Sequence, residues 1–158
     1  MDTLRVPDDF REFLRLLNSK GVEYLVVGGW AVNYYGYSRP TGDIDLWVAA
    51  HPRNAAAIVE ALREFGFGVG RLRPGLFLKP DQIVRLGRPP LRIELLTTIS
   101  GVSFEECYRA RASFMDGDMA LPFISLRDLR RNKKASGRLK DLADLDELRP
   151  RPRQCRNQ

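Results

Sequence analysis

The chain has 158 residues, of which 44% are hydrophobic and 29% charged, and it carries a formal net charge of +6. That length suits one domain with one core. No apolar run reaches the length of a membrane span, and Met1-Asp2-Thr3-Leu4-Arg5 lacks a signal-peptide apolar region, so a cytoplasmic chain without membrane contact is expected.

Pro7-Asp8-Asp9-Phe10 opens the first predicted helix. Proline suits the first turn and the aspartates complement the helix dipole. Phe10, Phe13, Leu14 and Leu17 fall at i, i+3, i+4 and i+7, one apolar stripe, and Lys20-Gly21 supplies the stop. Val22 to Val27 is a nearly continuous apolar run, which predicts a strand in the middle of a sheet. Gly28-Gly29 then lets the backbone turn tightly and approach a ligand, and the exposed N–H groups that open the following short helix, Trp30 to Tyr37, attract phosphate. Trp30, Tyr34, Tyr35 and Tyr37 suit either base stacking or core packing. Ser38 to Gly42 is a loop by composition, and its Arg39 and Thr41 are candidates to reach a triphosphate.

Asp43 to Ala49 is the second predicted strand. Asp43 and Asp45 are i and i+2, so they leave one face while Ile44 and Leu46 leave the other. Two carboxylates at 4 Å repel by about 4 kcal/mol at an effective dielectric of 20. A cation between them relieves this, and hard oxygen ligands with room for phosphate and water suit Mg²⁺ or Mn²⁺. A glycine turn and paired carboxylates so close in the chain point to metal-assisted phosphoryl or nucleotidyl transfer.

The stretch Val26 to Leu46 resembles the signature of the nucleotidyltransferase superfamily, which shares its fold with polymerase beta. Its form here, Gly28-Gly29-Trp30-Ala31 followed by Arg39-Pro40-Thr41-Gly42-Asp43-Ile44-Asp45-Leu46, is most similar to the small bacterial transferases, including the AbiEii-type toxin group and the minimal and lincosamide-modifying enzymes. The resemblance implies an α+β, polymerase-beta-like fold with a mixed central sheet flanked by helices. It also implies an NTP as co-substrate, with Asp43 and Asp45 as metal ligands and Gly28 and Gly29 beside the phosphates.

His51-Pro52-Arg53-Asn54 turns into a predicted helix, Ala55 to Phe65, with Ile58, Leu62 and Phe65 at helical spacing. His51, the only histidine, reads as a polar turn residue. Leu76-Phe77-Leu78 and Gln82 to Leu86 read as two strands of a hairpin around Lys79-Pro80-Asp81. In the strand Leu91 to Leu96, Arg92, Glu94 and Leu96 share a face. Glu94 stands where the resemblance implies a third catalytic carboxylate, in a place often held by Asp; the plainer reading is a strand residue paired to Arg92 or a neighbour. Ser103 and Glu106 form a capping-box pattern before a short helix, and Asp116-Gly117 marks a hairpin between Arg111 to Met115 and Met119 to Ile124.

Ser125-Leu126-Arg127-Asp128 starts a strongly basic helix that Gly137 breaks. Leu142, Leu145 and Leu148 on the next helix are expected to face the core. Asn132 to Asp141 resembles the Lys…Gly-Arg-x-Lys-Asp closing segment of the AbiEii-like group, which implies that Lys134 or Lys140 approaches the triphosphate. Cys107 in a helix and Cys155 in a polar tail point to reduced thiols. Residues 1–148 are expected to form one nucleotidyltransferase domain and 149–158 a disordered basic tail. The positive charge favours nucleotides or RNA. Acceptors compatible with the chain are RNA or tRNA, a protein hydroxyl or a small molecule, and a toxin–antitoxin setting would add an antitoxin-like protein partner. A non-catalytic nucleotide- or RNA-binding module on the same fold is the other reading.

Overall fold

The computed structural model describes residues 6–36, 42–67, 72–88 and 91–148. Among these are six α-helices and one six-stranded sheet in the order β3-β4-β2-β1-β6-β5. The sheet is mixed. β1 (Tyr24–Val27) runs antiparallel to β2 (Asp43–Val48) and parallel to β6 (Met119–Phe123). β2 runs parallel to β4 (Leu91–Leu96), with β3 (Ile83–Arg88) antiparallel on the edge beyond it. β5 (Ala112–Asp116) closes the other edge as a hairpin with β6.

The apolar run that predicts a central strand does lie centrally, and all four residues of β1 are buried. Helix α1 (Asp8–Ser19) buries the stripe Phe10, Phe13, Leu14 and Leu17. Phe13 meets Phe65 edge-on, which joins α1 to α3 (Pro52–Phe65). Burying side chains of this size stabilises the fold by roughly 1.5–3 kcal/mol each. His51 caps α3: its Nδ1 accepts the Asn54 amide at 3.2 Å while Nε2 lies 2.6 Å from Glu23 Oε2. The sole histidine is therefore a turn residue.

The aromatics after the glycine turn resolve as packing. Helix α2 (Gly28–Tyr34) starts at the glycines themselves. Trp30 meets Phe10, Tyr34 packs on Phe114 and Phe123, and the Tyr35 hydroxyl donates to the Ile124 carbonyl at 2.6 Å. Tyr37 lies outside the described residues. In α4 (Phe104–Arg109), Ser103 takes the N-cap place but its side chain makes no capping bond. In α5 (Leu126–Ser136) the expected cap forms, with Ser125 Oγ accepting the Asp128 amide at 3.1 Å. Cys107 is a buried free thiol. Cys155 and the tail expected at 149–158 lie outside the described residues.

Two expectations are overturned. Leu76-Phe77-Leu78 is not a strand: Pro74–Phe77 is a 3-10 turn with Phe77 fully buried, and β3 finds its antiparallel partner in β4 instead. Pro74-Gly75 set a three-residue turn, and one inward aromatic then anchors it without any pleat. In α6 (Leu139–Glu147) Leu142 points to solvent, 44% exposed, while Asp141 and Asp144 face inward with Leu148 beyond the helix end. The cause is Lys133 of α5. Its ammonium is buried and lies 3.1 Å from Asp141 Oδ1 and 3.2 Å from Asp144 Oδ2. A buried ammonium requires anionic partners, so the charge pattern sets the helix rotation and the leucine pattern yields.

Lys133→Met leaves two buried carboxylates without their cation and should cost about 3–5 kcal/mol, whereas Leu142→Lys should change stability by less than about 0.5 kcal/mol. Urea unfolding of the two variants checks both.

Candidate active site

Sheet register builds the site. At the end of β1 the chain turns at Gly28, whose φ is +66°. A Cβ there would overlap the Asp45 carboxylate, so glycine is required both for the backbone conformation and for the space. Val27 pairs with Asp45 across β1–β2, Asp45 with Glu94 across β2–β4, and Glu94 with Arg85 across β3–β4. The neighbouring row pairs Asp43 with Arg92 and Arg92 with Gly87. The sheet thus sets two rows of charge side by side on one face: Asp43 and Asp45 share it as their spacing predicts, and the β2–β4 register brings Glu94 beside Asp45.

The three carboxylates differ in their partners. Arg92 grips Asp43 with two donors, Nη2 to Oδ2 at 2.9 Å and Nε to Oδ1 at 3.3 Å, and lies 3.9 Å from Glu94 Oε1. Arg85 Nε donates to Glu94 Oε1 at 3.0 Å. Asp45 is set apart by the burial of one oxygen. Its Oδ1 is shielded from solvent with no hydrogen-bond partner among the described residues. Burial, a hydrogen bond with Glu94 and the charges of Glu94 and Asp43 push its pKa up from 3.8 to about 7, against a smaller opposing pull from Lys133.

Asp45, Gly28 and Gly29 line a cleft of about 310 Å³ whose far side is the α5–α6 junction, with Lys133, Ser136, Arg138, Lys140 and Asp141. Asp141 ties that wall together. Burial resists its ionisation, but hydrogen bonds from Ser136, Arg138 and Lys133 outweigh it and hold the pKa down at about 2. Of the two lysines singled out in the sequence, Lys140 lines the cleft. Lys134 does not: it lines a separate basic groove with Arg127, Arg130 and Arg131. Sequence reasoning missed Lys133, although Asp141 and Asp144 at i and i+3 were an available sign of an inward acidic face. Arg39 and Thr41 lie outside the described residues.

Among the described residues no group of three Asp, Glu, His or Cys side chains is assembled as a ready-made metal cage. The donor set nonetheless fits a hard divalent cation. Three carboxylates share one face, and Asp45 has a buried oxygen without a hydrogen-bond partner among the described residues and is biased toward its protonated form by burial and by its acidic neighbours.

The six-stranded mixed sheet flanked by helices is a polymerase-beta-like nucleotidyltransferase fold. Residues 7–151 match the family described as nucleotidyl transferase of unknown function (DUF2204), and the chain belongs to that family. Among curated proteins none matches. Among solved structures, TM1012 of Thermotoga maritima, provisionally classed as a nucleotidyltransferase, is similar with a TM-score of 0.60 at 18% identity, over 87% of this chain and 88% of that one. An antigenic nucleotidyltransferase-like protein of Paracoccidioides brasiliensis has a TM-score of 0.54 at 17% identity, over 89% and 74%. The lincosamide antibiotic adenylyltransferase LnuA, bound to lincomycin, has a TM-score of 0.54 at 15% identity, over 91% and 96%.

Two shifted carboxylates set the pH response of the metal-free protein. Asp45, raised to about 7, contributes stability that is full below its ordinary 3.8 and is lost as pH rises through 7. Asp141, lowered to about 2, contributes stability that is full above 3.8 and is lost as pH falls through 2. In EDTA, these two groups should therefore make thermal melting highest near pH 4, with a fall toward pH 2 and a progressive fall between about pH 4 and 7. Asp45→Asn should flatten the alkaline side of that profile and leave the acid side in place.

Proposed function

We propose that this protein transfers a nucleotidyl group from an NTP to an acceptor hydroxyl. Membership of the transferase family supports the class of reaction. The observation that carries the reading for this chain is the in-register pair Asp45–Glu94 beside a Gly28 that has no room for a side chain.

In this reading Asp43, Asp45 and Glu94 hold Mg²⁺ or Mn²⁺, which when bound supplies charge stabilisation for the entering and leaving oxygens. Gly28 and Gly29 let the triphosphate come close to the backbone, and Lys140 together with Arg138 provides positive charge on the opposite wall. Arg39 and Thr41 are assigned to the same triphosphate from the sequence. Glu94 accepts the proton of the attacking hydroxyl. The acceptor oxygen bonds to the α-phosphorus, the bond from that phosphorus to the bridging oxygen breaks, and pyrophosphate leaves. Holding these groups in line does most of the work.

The acceptor class is RNA or tRNA, a protein hydroxyl or a small molecule. LnuA is an adenylyltransferase for a lincosamide antibiotic on the same fold, which makes ATP and small hydroxylated acceptors part of any screen. The AbiEii-like character of residues 132–141 makes a toxin–antitoxin pair the setting in which to seek a protein partner. A binding module without catalysis is favoured by one observation: arginines already neutralise Asp43 and Glu94.

Calorimetry with ATP, CTP, GTP and UTP, with and without Mg²⁺, separates the readings, because catalysis requires Mg²⁺-dependent binding. Incubation with each labelled NTP and a cell extract should then yield a labelled acceptor. Asp45→Asn should keep the wild-type circular dichroism spectrum and lower transfer by at least about a thousandfold; full transfer by that variant would eliminate the metal-site reading.

A further inference from the structure

This inference concerns Arg92 and rests on the reading just given. Arg92 lies directly across the β2–β4 ladder from Asp43 and two residues before Glu94 on the same face. It therefore projects into the space between two of the three carboxylates. Its two-pronged contact with Asp43 is the geometry in which a guanidinium fits a carboxylate best. The contact holds both Asp43 oxygens against the guanidinium, and among the described residues the three acids on this face form no assembled cage. Asp45 Oδ1 is left unsatisfied beside them.

We propose that Arg92 is a resident counter-cation of the carboxylate site: in the metal-free protein it takes the place at Asp43 that a divalent cation needs, and metal binding displaces it. The side chain is 36% exposed, so it can swing into water when displaced. Arg85 makes a similar contact with Glu94 but through one nitrogen and with 62% exposure, which makes it the weaker competitor. The device keeps like charges from repelling in the empty site and raises the metal concentration needed to load it. Arg92 is thus a positioning residue, acting on the site through Asp43.

The test is direct metal binding without nucleotide or turnover. Mn²⁺ titration followed by electron paramagnetic resonance gives the dissociation constant for wild type, Arg92→Gln, Arg92→Lys, Asp43→Asn and the Arg92→Gln/Asp43→Asn double variant. Arg92→Gln should bind Mn²⁺ more tightly by about threefold or more, with Arg92→Lys between it and wild type. In the Asp43→Asn background Arg92→Gln should change nothing, because the competition acts through that carboxylate. Thermal melting supplies a second readout: Arg92→Gln should melt lower than wild type in EDTA and show a larger upward shift with Mn²⁺. A merely structural arginine would lower both melting temperatures alike. Equal or weaker Mn²⁺ binding by a folded Arg92→Gln overturns the proposal while leaving the transferase reading standing. If neither wild type nor Arg92→Gln binds Mn²⁺, both readings fall; binding by Arg92→Gln alone would support displacement in its strongest form.

Discussion

Mutual repulsion among acidic side chains on one face of the sheet is the constraint around which this molecule is arranged. β2 sets Asp43 and Asp45 side by side, and the parallel register of β4 adds Glu94 next to Asp45. In a half-buried setting such a cluster is costly unless something positive stands near it. The structure supplies that charge locally and from a distance. Arg92 and Arg85 lie in the same strand ladder, and Lys133 reaches the neighbourhood from the far wall of the cleft. At the centre, the buried Asp45 Oδ1 is left without a hydrogen-bond partner among the described residues.

The far wall obeys the same electrostatic rule with the signs exchanged. There one ammonium is taken from water and held by two carboxylates, with Ser136 and Arg138 also binding Asp141. A buried pair of this kind specifies geometry more than it adds net stability. It fixes the angle at which α6 meets α5, and so fixes where Arg138 and Lys140 stand on the cleft. Lys133 thereby links the stability of the last helix to the shape of the site, although its own charge is spent on Asp141 and Asp144.

The parts of the fold that follow from apolar periodicity could be read in the sequence. The α1 stripe, the central β1, the glycine turn and the shared face of Asp43 and Asp45 each need only local spacing. Glu94 could be placed on the right face of its strand, but its neighbour Asp45 depends on a register between strands some fifty residues apart, and that came only through resemblance. Arg92 shows the limit clearly. Within its own strand it reads as a partner for Glu94, yet its better contact is with Asp43 across the ladder. The rotation of α6 escaped for a related reason. Leucines at helical spacing predict an apolar inner face, and hydropathy gives no signal for an aspartate drawn inward by a lysine on another helix. Lys133 and Lys134 are adjacent in sequence but a hundred degrees apart on a helix, so choosing between them requires knowing which way α5 faces.

The ionic junction between α5 and α6 has a practical corollary for handling this protein. Asp141 and Asp144 come near the end of the described chain, yet Asp141 lines the cleft and both hold Lys133 of its far wall. A variant shortened before Asp141 would therefore leave a lysine stranded in the interior and tilt the surface that faces the glycine bend. Affinity tags, fluorophores and fusion junctions should be joined beyond Leu148, whose buried side chain marks the inner boundary of what the cleft needs.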